Sequence, residues 1–119
     1  MNRVTAPGGL GDDKEKPMAR LLVMYKTPRD AAAFDKHYAE RHIPLAKKIP
    51  GVRQYEVSKG GVATPAGPAG YHLVAILQFD DVAAIQKAFA SAEGQAVVAD
   101  VQTFATGGVD IFMFDSREV

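Results

Sequence analysis

Three histidines stand in this chain, His37, His42 and His72, and imidazole is the side chain whose proton moves nearest neutral pH. His42 is the first candidate for chemistry, because an imidazole aimed into an apolar pocket can accept or donate a proton as a general base or acid. Tyr38 stands one helical turn earlier, where its hydroxyl could orient His42 or bind a substrate. Arg41 could hold a carboxylate or an enolate if the helix turns it inward, and lies at the surface if the helix does not. Phe34 would add an apolar wall to the same face. Tyr71 and His72, on a later apolar run, are further substrate-binding candidates. Strand alternation sends them to opposite sheet faces, so His72 could join His42 only if a pocket crossed the sheet. His37 is expected to face solvent, and Asp100 to cap a loop or otherwise serve structure.

Other chemistries lack their residues. There is no cysteine, so thiolate catalysis and Cys-based metal sites drop out and no disulfide is needed. His37 and His42 are five apart, about 140° round an α-helix, whereas a facing metal pair needs three or four. No metal and no cofactor are expected. No glycine-rich phosphate motif opens a helix, and no nucleophile elbow is present. Fourteen basic against fourteen acidic residues give a net charge of zero, which argues against a nucleic-acid surface. The longest apolar run, Leu73 to Leu77, is far too short to span a membrane. With no apolar segment in the N-terminal region to act as a signal, the cytoplasm is the expected location.

The elements that must position these residues can be read from pattern. Residues 1–17, with three Gly and two Pro, are expected to form a flexible tail. Met18, where the pattern changes, is an alternative translation start. The folded domain then covers residues 18–117. RLLVMYK reads as a strand, and Asp30 as the N-cap of a helix carrying Phe34, Tyr38, Arg41 and Leu45 on one face. Pro44 should kink or stop that helix just after His42. VRQYEVS alternates like an edge strand, or one facing a polar cavity. Gly60 to Gly70 reads as a mobile connection or lid, and YHLVAILQF as a central strand covered on both faces. Asp80 or Asp81 and then Ser91 cap two helical pieces, Gly107-Gly108 ends the second, and VDIFMFD is a last strand.

The order strand, helix, strand, strand, helix, strand is the ferredoxin-like βαββαβ arrangement of the α+β class. It places helices on one face of a four-stranded antiparallel sheet. The other face would be bare, supplied by His72, Val74, Ile76 and either Val109, Ile111, Met113 or Phe112, Phe114. A homodimer packed sheet to sheet would cover it.

The stretches MYKTPRDAAAFDKHYAERHIPLAKKIPGVRQYEVS and YHLVAILQFDDVAAIQKAFASAEGQAVVADVQTFA resemble the EthD family, named for ethyl tert-butyl ether degradation. The resemblance covers residues 18 to 115. It rests on Pro28 and Asp30, Phe34, Tyr38 with His42, Pro44, Pro50-Gly51, Phe79, and Asp100 with Phe104. It implies a dimeric α+β barrel and a link to oxidative degradation, often described as oxidoreductase activity. Relatives in the superfamily include cofactor-independent monooxygenases, isomerases and cyclases. Two functions fit. One is acid/base or oxidoreductase chemistry on a small hydrophobic oxygenated compound, with His42 as acid or base and Tyr38 as its orienter. The other is a non-catalytic protein that binds such a ligand for a partner oxygenase. A purely structural dimer is a third.

Overall fold

Alternation builds the first strand: in β1 (Met18–Lys26), Ala19, Leu21, Val23 and Tyr25 are buried while the residues between them are less so. The computed structural model describes residues 18–119, so the expected tail of residues 1–17 lies outside the described residues. Asp30 caps α1 (Ala31–His37), its Oδ1 accepting from the Ala33 N–H at 3.0 Å. The helix does not stop before Pro44. It widens into a π turn, Tyr38–His42, and resumes as α2 (Ile43–Ala46) with the proline in its first turn. The Ile43 N–H reaches back five residues to the Tyr38 carbonyl. The wide turn lies immediately ahead of a residue that has no N–H and would crowd the carbonyl four residues back.

Beyond the Gly51 turn, where φ is 84°, β2 (Gln54–Val57) forms one sheet edge. The Gly-rich stretch is more ordered than its composition suggests. It contains a small hairpin, β3 (Ala63–Thr64) with β4 (Gly67–Pro68), and Thr64 Oγ1 donates to the Gly67 carbonyl at 3.0 Å. Then come β5 (Tyr71–Phe79), α3 (Val82–Ala90), α4 (Ala92–Phe104) and β6 (Val109–Ser116). Asp81, not Asp80, caps α3, accepting from the Ala84 N–H at 2.7 Å, and Ser91 caps α4, accepting from Gly94 at 3.1 Å.

The main sheet has the order β2-β5-β1-β6 with every neighbouring pair antiparallel, which is the ferredoxin-like arrangement. The core lies between this sheet and the helices, where the buried residues of β1 and β5 meet Phe34, Ile85, Val97 and Phe104. Register settles which residues of β6 take which side. Val23 pairs with Ile111 and Leu21 with Met113, so these lie on the helix side; Leu22 pairs with Phe112 and Arg20 with Phe114, so these lie on the bare side. Among the described residues, no helix is long and apolar enough to cross a membrane.

One irregularity changes a site expectation. Tyr25 pairs with Leu73 but Lys26 pairs with Tyr71, so His72 is the extra residue of a β-bulge. His72 therefore turns to the helix side, its ring 4.9 Å from Phe34 and its Nε2 2.7 Å from Asp35 Oδ1. Tyr71 turns to the bare side, its hydroxyl donating to Asp110 Oδ2 at 2.7 Å. Strict alternation had placed these two the other way round.

Candidate functional site

The inner face of β1, the π turn and α4 enclose an apolar cavity of about 280 Å³, walled by residues that include Leu21, Val23, Val97, Val101, Ile111 and Met113. Its polar groups are few: Tyr25, Tyr38, His42, Tyr55, Gln86 and Gln102. His42 is 3% exposed and is the buried polar residue of the core. Its Nδ1 lies 2.8 Å from Asp100 Oδ2, and its Nε2 lies 3.4 Å from the Tyr25 hydroxyl. His37 reaches the same carboxylate from the other side, Nε2 to Asp100 Oδ1 at 2.8 Å. The result is a His37–Asp100–His42 chain, supported by Phe104, whose ring lies 5.0 Å from His37 and 4.8 Å from His42.

Protonation follows from this geometry. Burial pushes the His42 imidazole below its ordinary value, against the opposing pull of the Asp100 hydrogen bond. Burial alone would push the Asp100 carboxyl up. The hydrogen bonds from His42 and His37, with the charge those two rings can carry, outweigh it and hold the carboxyl below its ordinary value. An ionised carboxylate only accepts, so His42 donates through Nδ1–H and keeps the lone pair on Nε2. That lone pair meets the Tyr25 hydroxyl, and both residues line the cavity. Asp100 thus fixes tautomer and orientation, as the acid does in a serine-hydrolase triad.

A second pair of groups faces the same space. The Tyr38 and Tyr55 hydroxyls are 2.6 Å apart. Burial first, then the neighbouring Tyr55, pushes the Tyr25 and Tyr38 phenols well above the ordinary range, and burial raises Tyr55 against the opposing pull of the Tyr38 hydrogen bond. All three hydroxyls therefore keep their protons. Two phenols sharing one hydrogen bond leave one O–H to donate elsewhere.

Of the six residues singled out from sequence, only His42 and Tyr38 line this cavity. Tyr38 does not bond His42; its hydroxyl is spent on Tyr55, and the orienting bond comes from Asp100. Phe34 is buried behind the site, its ring stacked 5.8 Å from Tyr38. Arg41 is exposed on the outer side of the π turn. His72 bonds Asp35 and packs on Phe34 away from the cavity, and Tyr71 is on the other sheet face. No residue of Gly60 to Gly70 lines the cavity. His37 is not a solvent-facing bystander, since its side chain is 29% exposed and bonded to Asp100. Tyr25 and Tyr55 were missed as site residues. Tyr25 shares the alternating face of Leu21 and Val23, and a phenol ending an apolar stripe was the available signal. Among the described residues, no group of three or more His, Cys, Asp or Glu is arranged to hold a metal ion.

Comparison with known proteins agrees with this architecture. An uncharacterised 11.0 kDa protein of the thcB–thcC intergenic region of Rhodococcus erythropolis is 41% identical over 102 residues, 86% of this chain and 98% of that protein. The crystal structure of an ethyl tert-butyl ether degradation (EthD) family protein from Bacillus halodurans is 33% identical, with a TM-score of 0.75 over 86% of this chain and 99% of that one. SnoaB, a cofactor-independent oxygenase from Streptomyces nogalater, shares the fold at 13% identity, with a TM-score of 0.60 over 87% of this chain and 96% of that one. The EthD domain family model matches residues 26–108. By that match and by its 41% identical relative, the chain belongs to the EthD family.

Proposed function

We propose that this protein is a general-base catalyst that takes a proton from a small, hydrophobic, oxygenated compound, such as a phenol, an enol or an activated ketone, bound in the apolar cavity. The observation that carries this reading is His42, a buried imidazole that lines the cavity, whose Nδ1–H is spent on Asp100 and whose Nε2 meets only the Tyr25 hydroxyl, on another lining residue, at 3.4 Å. A substrate O–H or C–H presented to Nε2, in place of the Tyr25 hydroxyl, gives its proton to the ring, and Asp100 steadies the imidazolium that forms. The charge left on the substrate oxygen meets the O–H left over from the Tyr38–Tyr55 pair, in a dry site where one donor counts for more than in water. An enolate or phenolate is also the form in which such a compound gives an electron to dioxygen. That chemistry, with dioxygen as co-reactant, is the oxidative step we place after proton removal, and the shared fold of SnoaB is in keeping with it. We place the reaction in a cytoplasmic homodimer.

Solvent deuterium exchange tests the proton step without knowledge of the full reaction. Apolar aryl alkyl ketones incubated in heavy water with wild-type protein should exchange the C–H positions next to their carbonyl, and His42→Ala should lose about 10²–10⁴-fold of that rate. Equal exchange by both proteins would remove His42 from the chemistry. Stoichiometric binding of a probe without exchange would favour a carrier that hands its ligand to a partner oxygenase.

A further inference from the structure

His37 is five residues before His42, and in an α-helix the two would point about 140° apart. The π turn between them narrows that divergence. Its i to i+5 hydrogen bond, Ile43 N–H to Tyr38 carbonyl, winds the chain more slowly than an α-helix and brings residues five apart closer in direction. Both imidazoles thereby reach the one Asp100 side chain, each on its own oxygen at 2.8 Å.

The two histidines meet different surroundings. His42 is sealed on the cavity side, whereas His37 borders a separate outer groove with Arg29, Asp30, Thr103 and Thr106. Phe104 and Asp100 stand between the two spaces, with His37 stacked on the Phe104 ring. A carboxylate held by one donor can swing about its bond to the chain. Held on both oxygens, it keeps a single plane and presents Oδ2 steadily to His42.

We propose that His37 is a positioning residue for the His42 base, acting through the shared Asp100 carboxylate. This rests on the general-base reading above. Positive charge on the far side of Asp100 competes with His42 for the same carboxylate and repels an imidazolium there, and His37 is one of the causes that lower His42. The other titratable or charged groups around the chain are Tyr25 from β1, Tyr55 from β2, Tyr38 within the π turn, and Arg29 and Asp30 across the outer groove. Those three phenols stay protonated, so they add no charge as His42 titrates. Asp100 is left as the charged partner in direct contact with His42, with His37 bonded to its other oxygen.

Nitrogen-15 NMR of histidine-labelled full-length protein over a pH series reads this directly. In wild-type protein His42 should hold the Nδ1–H tautomer. His37→Gln keeps an N–H donor for Asp100 but removes the ring that helps lower His42, so His42 should keep its tautomer and its titration midpoint should move upward. His37→Phe keeps a ring on Phe104 but no donor, so His42 should show a mixture of tautomers. A His42 midpoint unmoved in His37→Gln would overturn the inference, even if His37→Phe did not fold. Wild-type tautomer and midpoint in His37→Phe would reduce His37 to a packing role. The outcome is separable from the general-base reading. Coupling present with deuterium exchange indifferent to His42→Ala would sink the reaction and leave the positioning intact, whereas absent coupling with normal exchange would do the reverse.

Discussion

Asp100 has two oxygens and spends one on each histidine, so the buried imidazole is held at Nδ1 and opened at Nε2. Burial sets the sign of its pH dependence. His42 is lowered in the folded protein from its ordinary value of 6.5, so the unfolded chain takes up this proton first as the solution is acidified. The stability associated with the neutral ring is whole above about pH 6.5 and is lost as pH falls from there through the lowered folded value. Asp100, lowered from 3.8 in the fold, repeats the pattern further down the scale. Wild-type protein should therefore lose melting temperature between about pH 7 and about pH 5 more steeply than His42→Gln, which cannot titrate but keeps an amide donor for Asp100. Parallel curves for the two proteins across that range would show that His42 does not carry the penalty assigned to it. The same lowering favours the base, because Nε2 stays unprotonated further into the acid side than a free imidazole would.

At the scale of elements, caps were legible in the sequence and windings were not. Asp30 and Ser91 announce their helices because a cap is a contact between residues three apart, and the pattern narrowed the α3 cap to Asp80 or Asp81, of which Asp81 takes the role. His42 and Tyr38 were legible as cavity residues for the same local reason. Angles of 100° per residue then failed across Tyr38–His42, since one extra residue in the turn rotates everything after it; His37 was sent to solvent and Arg41 was left undecided. The bulge at His72 misled in the same way, because period-two alternation contains no extra residue. Asp100 was visible in the sequence but could not be joined to His42, as it lies 58 residues away and only the packing of α4 on the π turn brings it there. That packing depends on the close joint between α3 and α4. A Cβ added at Gly94 would lie 2.6 Å from the Phe89 Cα and closer still to the Ala88 carbonyl oxygen. Gly94→Ala should therefore cost about 1–3 kcal/mol by forcing the helices apart, read as a fall in urea midpoint at unchanged m-value. It should also disturb the Asp100–His42 bond. Unaltered stability would mean that the joint opens at no cost.

On the whole molecule, the sheet has one covered face and one open one, and β6 belongs to both. Phe112 and Phe114 are 56% and 42% exposed on the open face, where Leu22, Val74 and Ile76 complete an apolar surface. A protein that stayed monomeric would expose this patch to water, which soluble monomers seldom do at such extent. The opposite side of the same strand carries Ile111 and Met113 into the cavity wall. β6 is an edge strand, paired within the sheet only to β1, so its position is set from one side unless something packs on its outer face. A second copy packed sheet to sheet would bury Phe112 and Phe114 and hold Ile111 and Met113 in place from behind. Association and cavity shape would then be linked through one strand. Sedimentation velocity of wild-type protein at micromolar concentration should give a dimer, and Phe114→Glu should give a monomer that still unfolds cooperatively, because a charge in that interface has no partner. The monomer should bind apolar probes more weakly as well, since its β6 has lost the support behind the cavity wall. A wild-type monomer would undo the dimer, and a monomeric Phe114→Glu with undiminished probe binding would keep the dimer while separating it from the site.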